Sequence, residues 1–319
     1  MNKQVIGFAA LSLMGSYLYV STLFAAFPGN IIGSLLVALT LAAGIAAIVN
    51  EIPQINTAKQ VNLGLPGLKV LFSVAGGALV SYALSVHFGL GSVIASGLVA
   101  LFAGILIPSI GPAVTCGAFA GMASSRLLGY PGILLAGSIA GLAFALSSDL
   151  FNGFGGKLGT IAATGTCLAA AITGKSFLES KFLDASLAAP IIATAIVSSV
   201  LAYYVNNMAG KGGVVASGMV SLLGGLVLPA AFPKTGGMLA AVCACGSYVG
   251  MSSKARIPNG LYAAVAGGLT GAAYFLGAPV LGGAGGKLGT TAFVSVLAVS
   301  LIVRKTAKTF KEGGYSASQ

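Results

Sequence analysis

Acidic side chains are scarce in this sequence. Only five Asp and Glu residues accompany 16 Lys and Arg residues in 319 positions, and charged residues make up 7% of the chain. Soluble domains carry about 25% charged residues, so these few charges could not cover the surface of a soluble protein of this length. With 57% hydrophobic residues and a mean hydropathy of +1.00, lipid must be the solvent for most of the chain. The sequence therefore predicts a polytopic membrane protein.

Alternating hydrophobicity is also missing. A transmembrane β-barrel needs segments of about ten residues in which apolar and polar side chains alternate. This chain has long unbroken apolar runs instead, such as Ala185–Tyr203 and Gly260–Gly277. Helices satisfy their own backbone hydrogen bonds in lipid, so we predict an all-α fold.

The chain lacks the residues from which most enzyme and metal sites are built. One histidine, His87, and five carboxylates leave general acid–base catalysis few groups, and no HExxH or Ser/His/Asp arrangement is present. The cysteines lie in apolar segments without CxxC spacing, which is typical of small buried residues. They are Cys116, Cys167, Cys243 and Cys245. We expect no catalytic residue, metal or cofactor, no enzyme activity and no nucleic-acid partner.

Ten apolar segments of 16 or more residues are candidate spans. They are Val5–Phe27, Ile31–Val49, Gly67–His87, Gly91–Ile110, Gly132–Asp149, Leu158–Thr173, Ala185–Tyr204, Gly213–Phe232, Gly260–Gly277 and Leu288–Val303. The first is too long for a typical signal peptide, and we expect it to be a retained helix. Two further stretches, Pro112–Ser125 and Thr235–Ser253, are rich in small residues and favour re-entrant segments. The prediction is therefore 10–12 transmembrane helices.

One hexapeptide, Gly-Gly-Lys-Leu-Gly-Thr, occurs twice, at Gly155–Thr160 and Gly285–Thr290. A second element, Cys-Gly-x-x-x-Gly-Met-x-Ser, also occurs twice, at Cys116–Ser124 and Cys245–Ser253. Self-similarity of this kind indicates an internal repeat. We predict two homologous repeats of four to five helices, at residues 67–174 and 185–304, joined by a linker at 175–184.

The remaining residues are assigned around these repeats. Residues 1–50 are predicted to form two extra transmembrane helices, 51–66 a cytoplasmic linker and 305–319 a basic cytoplasmic tail. Lys and Arg concentrate on the cytoplasmic side of membrane proteins, and this places both termini in the cytoplasm, in a bacterial cytoplasmic (inner) membrane. An assembly of identical chains is left open.

Two topologies follow from the two doubtful stretches. If both span the membrane, there are twelve helices, the repeats are inverted and the hexapeptides lie on opposite faces. If both are re-entrant, there are ten helices, the repeats are parallel and both hexapeptides lie outside. The second arrangement leaves only Lys157, Lys211 and Lys287 outside the cytoplasm, which the positive-inside rule favours by two residues.

Each hexapeptide is predicted to lie at a helix N-terminus, because an apolar run follows it. Free N–H groups and the helix dipole attract anions there, and a lysine adds a full positive charge. Leu158 and Leu288 stand where a nucleotide-binding loop requires Ser or Thr, so a nucleotide is not expected. The alternative is a tight interfacial turn whose lysine reaches the lipid headgroups.

The second element contains Gly-x-x-x-Gly. It either packs closely against another helix or lines a permeation path with Ser124 and Ser253. The candidate substrate-binding residues are Gly155, Gly156, Lys157, Gly159, Thr160, Gly285, Gly286, Lys287, Gly289, Thr290, Ser124 and Ser253. Asp149 is assigned to the end of a span and is the candidate for a coupling cation or a partner of Lys157, because intramembrane carboxylates are often functional.

These features favour an integral membrane transporter or channel-like permease for a small anion or anionic group. Its site would lie at the interface of the two repeats. The first alternative is a permease for a small neutral solute, in which the lysines are merely interfacial. The second is a membrane scaffold or subunit that transports nothing. The expected partners are the lipid bilayer, the solute and a coupling cation.

Overall fold

Helices form all the secondary structure in the described part of the chain. The computed structural model describes residues 3–27, 29–58 and 64–315, the last nine of them as backbone only. The α-helices are α1 (Lys3–Ala26), α2 (Ile31–Glu51), α3 (Gln54–Thr57), α4 (Leu65–Val86), α5 (Ser92–Leu106), α6 (Gly111–Ala120), α7 (Tyr130–Ser147), α8 (Lys157–Ile172), α9 (Ala188–Asn207), α10 (Gly213–Ala231), α11 (Gly236–Gly250), α12 (Gly260–Leu276) and α13 (Lys287–Tyr315). A short 3-10 turn, Ala185–Leu187, precedes α9.

Seven of the described helices are long and apolar enough to cross a bilayer. They are α1, α2, α4, α7, α9, α10 and α13. The apolar helices α5, α8, α11 and α12 have 15–17 residues, or about 22–26 Å, less than the roughly 30 Å of a hydrocarbon core. Helix α6, with ten residues, is shorter still. The chain is thus an all-α protein with the features of a multi-pass membrane protein.

The predicted apolar segments coincide with these helices. Even the two doubtful stretches form helices, α6 and α11, although both are short. The clearest difference is α13, which continues to Tyr315 instead of ending at Val303. Neither Gly nor Pro interrupts residues 304–312, so nothing in the backbone ends the helix there. The predicted tail therefore begins as a helix, and residues 316–319 lie outside the described part.

The predicted cytoplasmic linker 51–66 contains a short helix and begins with a buried carboxylate. Glu51 is the last residue of α2 and is buried, and the short helix α3 follows at Gln54–Thr57. A charged residue ends the apolar run, so sequence alone assigned Glu51 to water; cationic partners described below make its burial acceptable. Residues 59–63 lie outside the described part of the chain.

The two halves of the chain, α4–α8 and α9–α13, are packed in the same way. In the first, α4 contacts α6 and α7; in the second, α9 contacts α11 and α12. Glycines allow the approach: an ideal Cβ on Gly141 would lie 2.8 Å from Leu71 Cα, and one on Gly271 would lie 2.8 Å from Ile192 Cα. The Gly-x-x-x-Gly element also allows close packing, since an ideal Cβ on Gly117 would lie 1.9 Å from Val74 O of α4.

Helices α5 and α10 pack against each other in antiparallel orientation and so connect the two halves. Gly104 faces Val215 near the end of α5, whereas Gly225 faces Ile94 near its start. As residue numbers rise along α5, the facing numbers on α10 fall. An ideal Cβ on Gly218 would lie only 2.7 Å from the Leu101 nitrogen, so this crossing depends on small residues, as is common between membrane helices.

The N-terminal pair α1–α2 packs mainly against the last helix. An ideal Cβ on Gly15 or on Gly44 would lie 3.0 Å from a Val294 methyl group of α13. The Tyr19 hydroxyl donates to Thr291 O at 3.0 Å. Helix α1 also contacts α7 and α8. The pair therefore covers one side of the molecule and leaves α5 and α10 on the other.

Candidate functional site

Both hexapeptides begin a helix, as predicted. Lys157 is the first residue of α8 and Lys287 the first of α13. The glycines directly before them, Gly156 and Gly286, have φ values of +81° and +82°. A side chain in this left-handed region is strained, so the second glycine of each hexapeptide is a requirement of the backbone.

The two helix starts contact each other. An ideal Cβ on Gly159 would lie 2.5 Å from Gly289 Cα, and one on Gly289 would lie 2.5 Å from Gly159 Cα. Gly156 faces Phe293 and Gly286 faces Ala163, so the first turns of α8 and α13 run antiparallel. This contact brings the two hexapeptides together, as a site between the two repeats requires, and their positions relative to the membrane faces stay a prediction. Sequence could not reveal a contact that depends on tertiary packing across 130 residues.

Each hexapeptide is also enclosed by the second element of the other half. An ideal Cβ on Gly285 would lie 2.4 Å from Ala120 O at the end of α6, and one on Gly155 would lie 2.3 Å from Tyr248 O in α11. Ser124 N donates to Gly283 O and Ser253 N donates to Gly153 O, both at 2.9 Å. Ser124 thus lies beside the loop before the second hexapeptide and Ser253 beside the loop before the first, and the two halves exchange hydrogen bonds at both places.

Both lysines donate hydrogen bonds to backbone carbonyls at the end of a helix. Lys157 Nζ donates to Ser148 O at 3.0 Å, just after α7 ends. Lys287 Nζ donates to Gly277 O at 2.8 Å and to Ala278 O at 3.1 Å, just after α12 ends. The last carbonyls of a helix lack intrahelical partners and carry negative partial charge. Each lysine therefore caps the helix that precedes its own.

The threonines of the hexapeptides bond within their own turn. Thr160 Oγ1 donates to Gly156 O at 3.3 Å, and Thr290 Oγ1 donates to Gly286 O at 3.2 Å. Both side chains are fully buried. In this conformation the hydroxyls stabilise the helix starts.

Asp149 lies outside the helix to which sequence assigned it. Helix α7 ends at Ser147, and Asp149 belongs to the following loop. A carboxylate is disfavoured at a helix C-terminus because of the helix dipole, which accounts for the earlier end. The Asp149 carbonyl accepts from Asn152 Nδ2 at 3.1 Å, and the carboxylate attracts the charge of Lys157.

An aromatic pair joins the ends of α6 and α11. Phe119 and Tyr248 occupy corresponding positions in the two repeated elements, and their ring centroids are 4.4 Å apart. Both are 2% exposed. The Tyr248 hydroxyl is 3.7 Å from Met122 Sδ. The two halves therefore also meet through these rings.

Sequence reasoning missed a charged cluster beside the first hexapeptide. Glu51 is 1% exposed, and Arg256, between α11 and α12, binds both its oxygens at 2.8 and 2.9 Å. Arg304 of α13 and Gln54 of α3 bind the same carboxylate. Glu51 is one of only five acidic residues, which was a usable signal. Nothing in the sequence pairs it with Arg256, 205 positions away.

Arg256 also reaches the loop 148–156, which leads into the first hexapeptide. Its Nε donates to Asn152 O at 3.1 Å, and its guanidinium lies 4.1 Å from the Phe154 ring centroid. Gln54 Oε1 accepts from Phe151 N at 3.0 Å. The charged cluster thus holds this loop in place.

The equivalent loop before the second hexapeptide, residues 277–286, lies at the other end of the molecule. Seventeen residues separate Lys287 from Arg304 along α13, about 26 Å. Here residues of the 175–184 linker, instead of a charged cluster, contact the loop, and Leu178 N donates to Gly282 O at 2.9 Å. The two loops therefore start from opposite ends and lead to the same crossing.

A cavity of about 410 Å³ opens between the halves. The first turn of α5 lines one wall, and Gly225 and Pro229 of α10 line another. Proline has no N–H to donate within the helix, so the Gly225 carbonyl lacks its usual intrahelical partner. Cavities of this size accommodate small molecules.

Comparisons of the chain with protein-family models, curated proteins and solved structures give no match. Among the described residues, no group of three His, Cys, Asp or Glu side chains is placed to hold a metal ion.

Proposed function

We propose that this protein is a membrane transporter or channel-like permease for a small anion or anionic group. The observation that carries the proposal is the reciprocal crossing of α8 and α13, at which two glycine-rich loops from opposite ends of the molecule meet. Transporters commonly place their sites where two repeats meet at interrupted helices. The protein belongs in a bacterial cytoplasmic membrane, with both termini inside.

The proposal treats residues 67–174 and 185–304 as inverted copies of one five-helix unit. Corresponding helices pack antiparallel at two crossings, α5 with α10 and α8 with α13. An axis that relates antiparallel helices lies across them, as in transporters with inverted repeats. The short helices α6 and α11 then end beside the axis, where Phe119 contacts Tyr248.

Charge favours an anion over a cation. Lys157, Lys287, Arg256 and Arg304 lie in or beside the two loops and the crossing, whereas Asp149 and Glu51 supply the negative charges. The N-terminal ends of α8 and α13 add positive partial charge. An entering anion would take the place of the helix-end carbonyls as the partner of each lysine.

Flux through liposomes containing the purified protein tests the lysines. We expect Lys157→Gln combined with Lys287→Gln to reduce anion flux at least tenfold, because two fixed charges leave the path. The matched control is Lys175→Gln with Lys211→Gln, which removes two exposed lysines and should leave flux unchanged. Equal flux in the two double variants would contradict an anion path past Lys157 and Lys287.

The second candidate is a permease for a small neutral solute. It is favoured by the carbonyl partners of both lysines, which use these charges without any solute. In that case the Lys157→Gln, Lys287→Gln variant keeps its flux once its fold is verified. A protein that moves no solute but co-purifies with a partner would indicate a scaffold.

A further inference from the structure

We propose that Glu51, Arg256 and Arg304 form an ionic latch that closes the loop 148–156 at one end of the solute path. The latch deepens the proposed function, since it assigns a gate to that path. Its central group is the Glu51 carboxylate, which is the counter-charge of both guanidiniums.

The latch connects three parts of the chain. Glu51 and Gln54 belong to the N-terminal segment, Arg256 and Arg304 to the second half, and Asn152 with Phe154 to the first half. Arg256, which belongs to the second half, touches both other parts: it binds Glu51, donates to Asn152 O and covers the Phe154 ring. Loop 148–156 cannot lift from α11 and α12 while these contacts hold.

Charge balance makes Glu51 the control point. Two guanidiniums share one carboxylate, and the Glu51 side chain is 1% exposed while Arg256 is 13% and Arg304 is 42% exposed. Removing the negative charge leaves two neighbouring cations that repel each other, one of them mostly buried. The Arg256 side chain is then more stable in water than in the buried position. When it moves there, its contacts with Asn152 and Phe154 are lost.

Among the described residues, no ion pair holds the loop 277–286 at the other end. Arg256 corresponds to Leu127 in the first half, and Leu127 is 2% exposed in the apolar core. Loop 277–286 is held by backbone hydrogen bonds to Ser124 and Leu178 and by the Lys287 ammonium, which donates to Gly277 O and Ala278 O. Breaking the charged contacts should therefore loosen one loop and leave the other in place.

Thiol labelling can follow each loop separately. Ser252 is fully buried, and its hydroxyl accepts from Gly155 N at 3.1 Å beneath loop 148–156. Its counterpart at the other end is Ala123, which is 4% exposed. Single Ser252→Cys and Ala123→Cys variants are made in a chain whose four native cysteines are replaced by alanine. Both are labelled in detergent with a water-soluble maleimide, which reaches both ends.

We expect Glu51→Gln to raise the labelling rate of Ser252→Cys at least tenfold and to leave that of Ala123→Cys unchanged. Arg256→Gln should give the same pattern, and Arg304→Gln a smaller rise of about threefold, since Arg304 does not touch the loop. An unchanged rate at position 252 in folded Glu51→Gln and Arg256→Gln variants overturns the latch. An equal rise at both positions also overturns it. Labelling needs no transport, so the latch can fail or hold independently of the flux result.

Discussion

Replacing Gly159 with alanine tests the central crossing directly. The new Cβ would lie 2.5 Å from Gly289 Cα, 3.1 Å from Gly289 N and 3.2 Å from Gly286 O. All three neighbours are backbone atoms, so no side chain can rotate away. Carbon atoms in contact sit about 3.5–4.0 Å apart, and helices α8 and α13 must therefore separate by about 1 Å or more.

The expected cost follows from overpacking. Extra methyl groups forced into a packed interior destabilise a protein by about 1–3 kcal/mol, and we expect the upper part of that range for Gly159→Ala because only backbone can move. Gly289→Ala should cost the same, since its contacts mirror those of Gly159. The double variant should cost clearly less than the sum, because one separation of the helices accommodates both methyl groups.

Thermal or denaturant unfolding in detergent measures these costs. The matched control is Gly76→Ala in the middle of α4, where a Cβ meets nothing within 4 Å; it should be neutral or stabilise by up to about 1 kcal/mol. If Gly159→Ala were as stable as Gly76→Ala, the helices would not cross at these glycines. Fully additive costs in the double variant would contradict the shared contact.

Two further predictions, with one control, concern buried hydroxyls. Tyr82 and Tyr203 donate at 2.9 and 3.0 Å to backbone carbonyls in equivalent loops; Tyr82→Phe and Tyr203→Phe should each destabilise the protein by about 1–3 kcal/mol, and very different unfolding temperatures would contradict the equivalence of the halves. Ser199 donates to Ala263 O across two helices at 2.9 Å, and Ser199→Ala should cost about 0.6–1.7 kcal/mol. Thr115 Oγ1 has no hydrogen-bond partner, so Thr115→Val, measured in the same assay, should be neutral or stabilising.

The positions of the helices were predictable because each helix corresponds to a continuous run of apolar residues in the sequence. Lipid excludes unsatisfied backbone groups, so almost every long apolar run had to become a helix. The starts of α8 and α13 were predictable for a related reason: glycines at Gly156 and Gly286 permit the turn, and an apolar run follows each.

The sequence favoured a site between the two repeats, but the residue pair at which the two hexapeptides touch was not predictable in the same way. The positive-inside rule assigns lysines to water or headgroups, whereas Lys157 and Lys287 donate to helix-end carbonyls of the protein. The contact of Gly159 with Gly289 joins residues 130 positions apart, and no local pattern encodes it. The charged cluster around Glu51 was missed for the same reason, since its partners Arg256 and Arg304 lie 205 and 253 positions away.

The packing of α1 and α2 on α13 has a consequence for synthesis. Tyr19 finds its partner Ser295 only 276 positions later, and Glu51 finds Arg304 after 253. At about 5–20 residues per second, the ribosome needs roughly 10–50 s to move from α2 to α13. Until then α1 has mainly α2, α7 and α8 as partners, and α2 has mainly α1. Helix α13 therefore completes the packing of α1 and α2, and a nascent chain stopped before α13 leaves the Gly15 and Gly44 faces without their main partner.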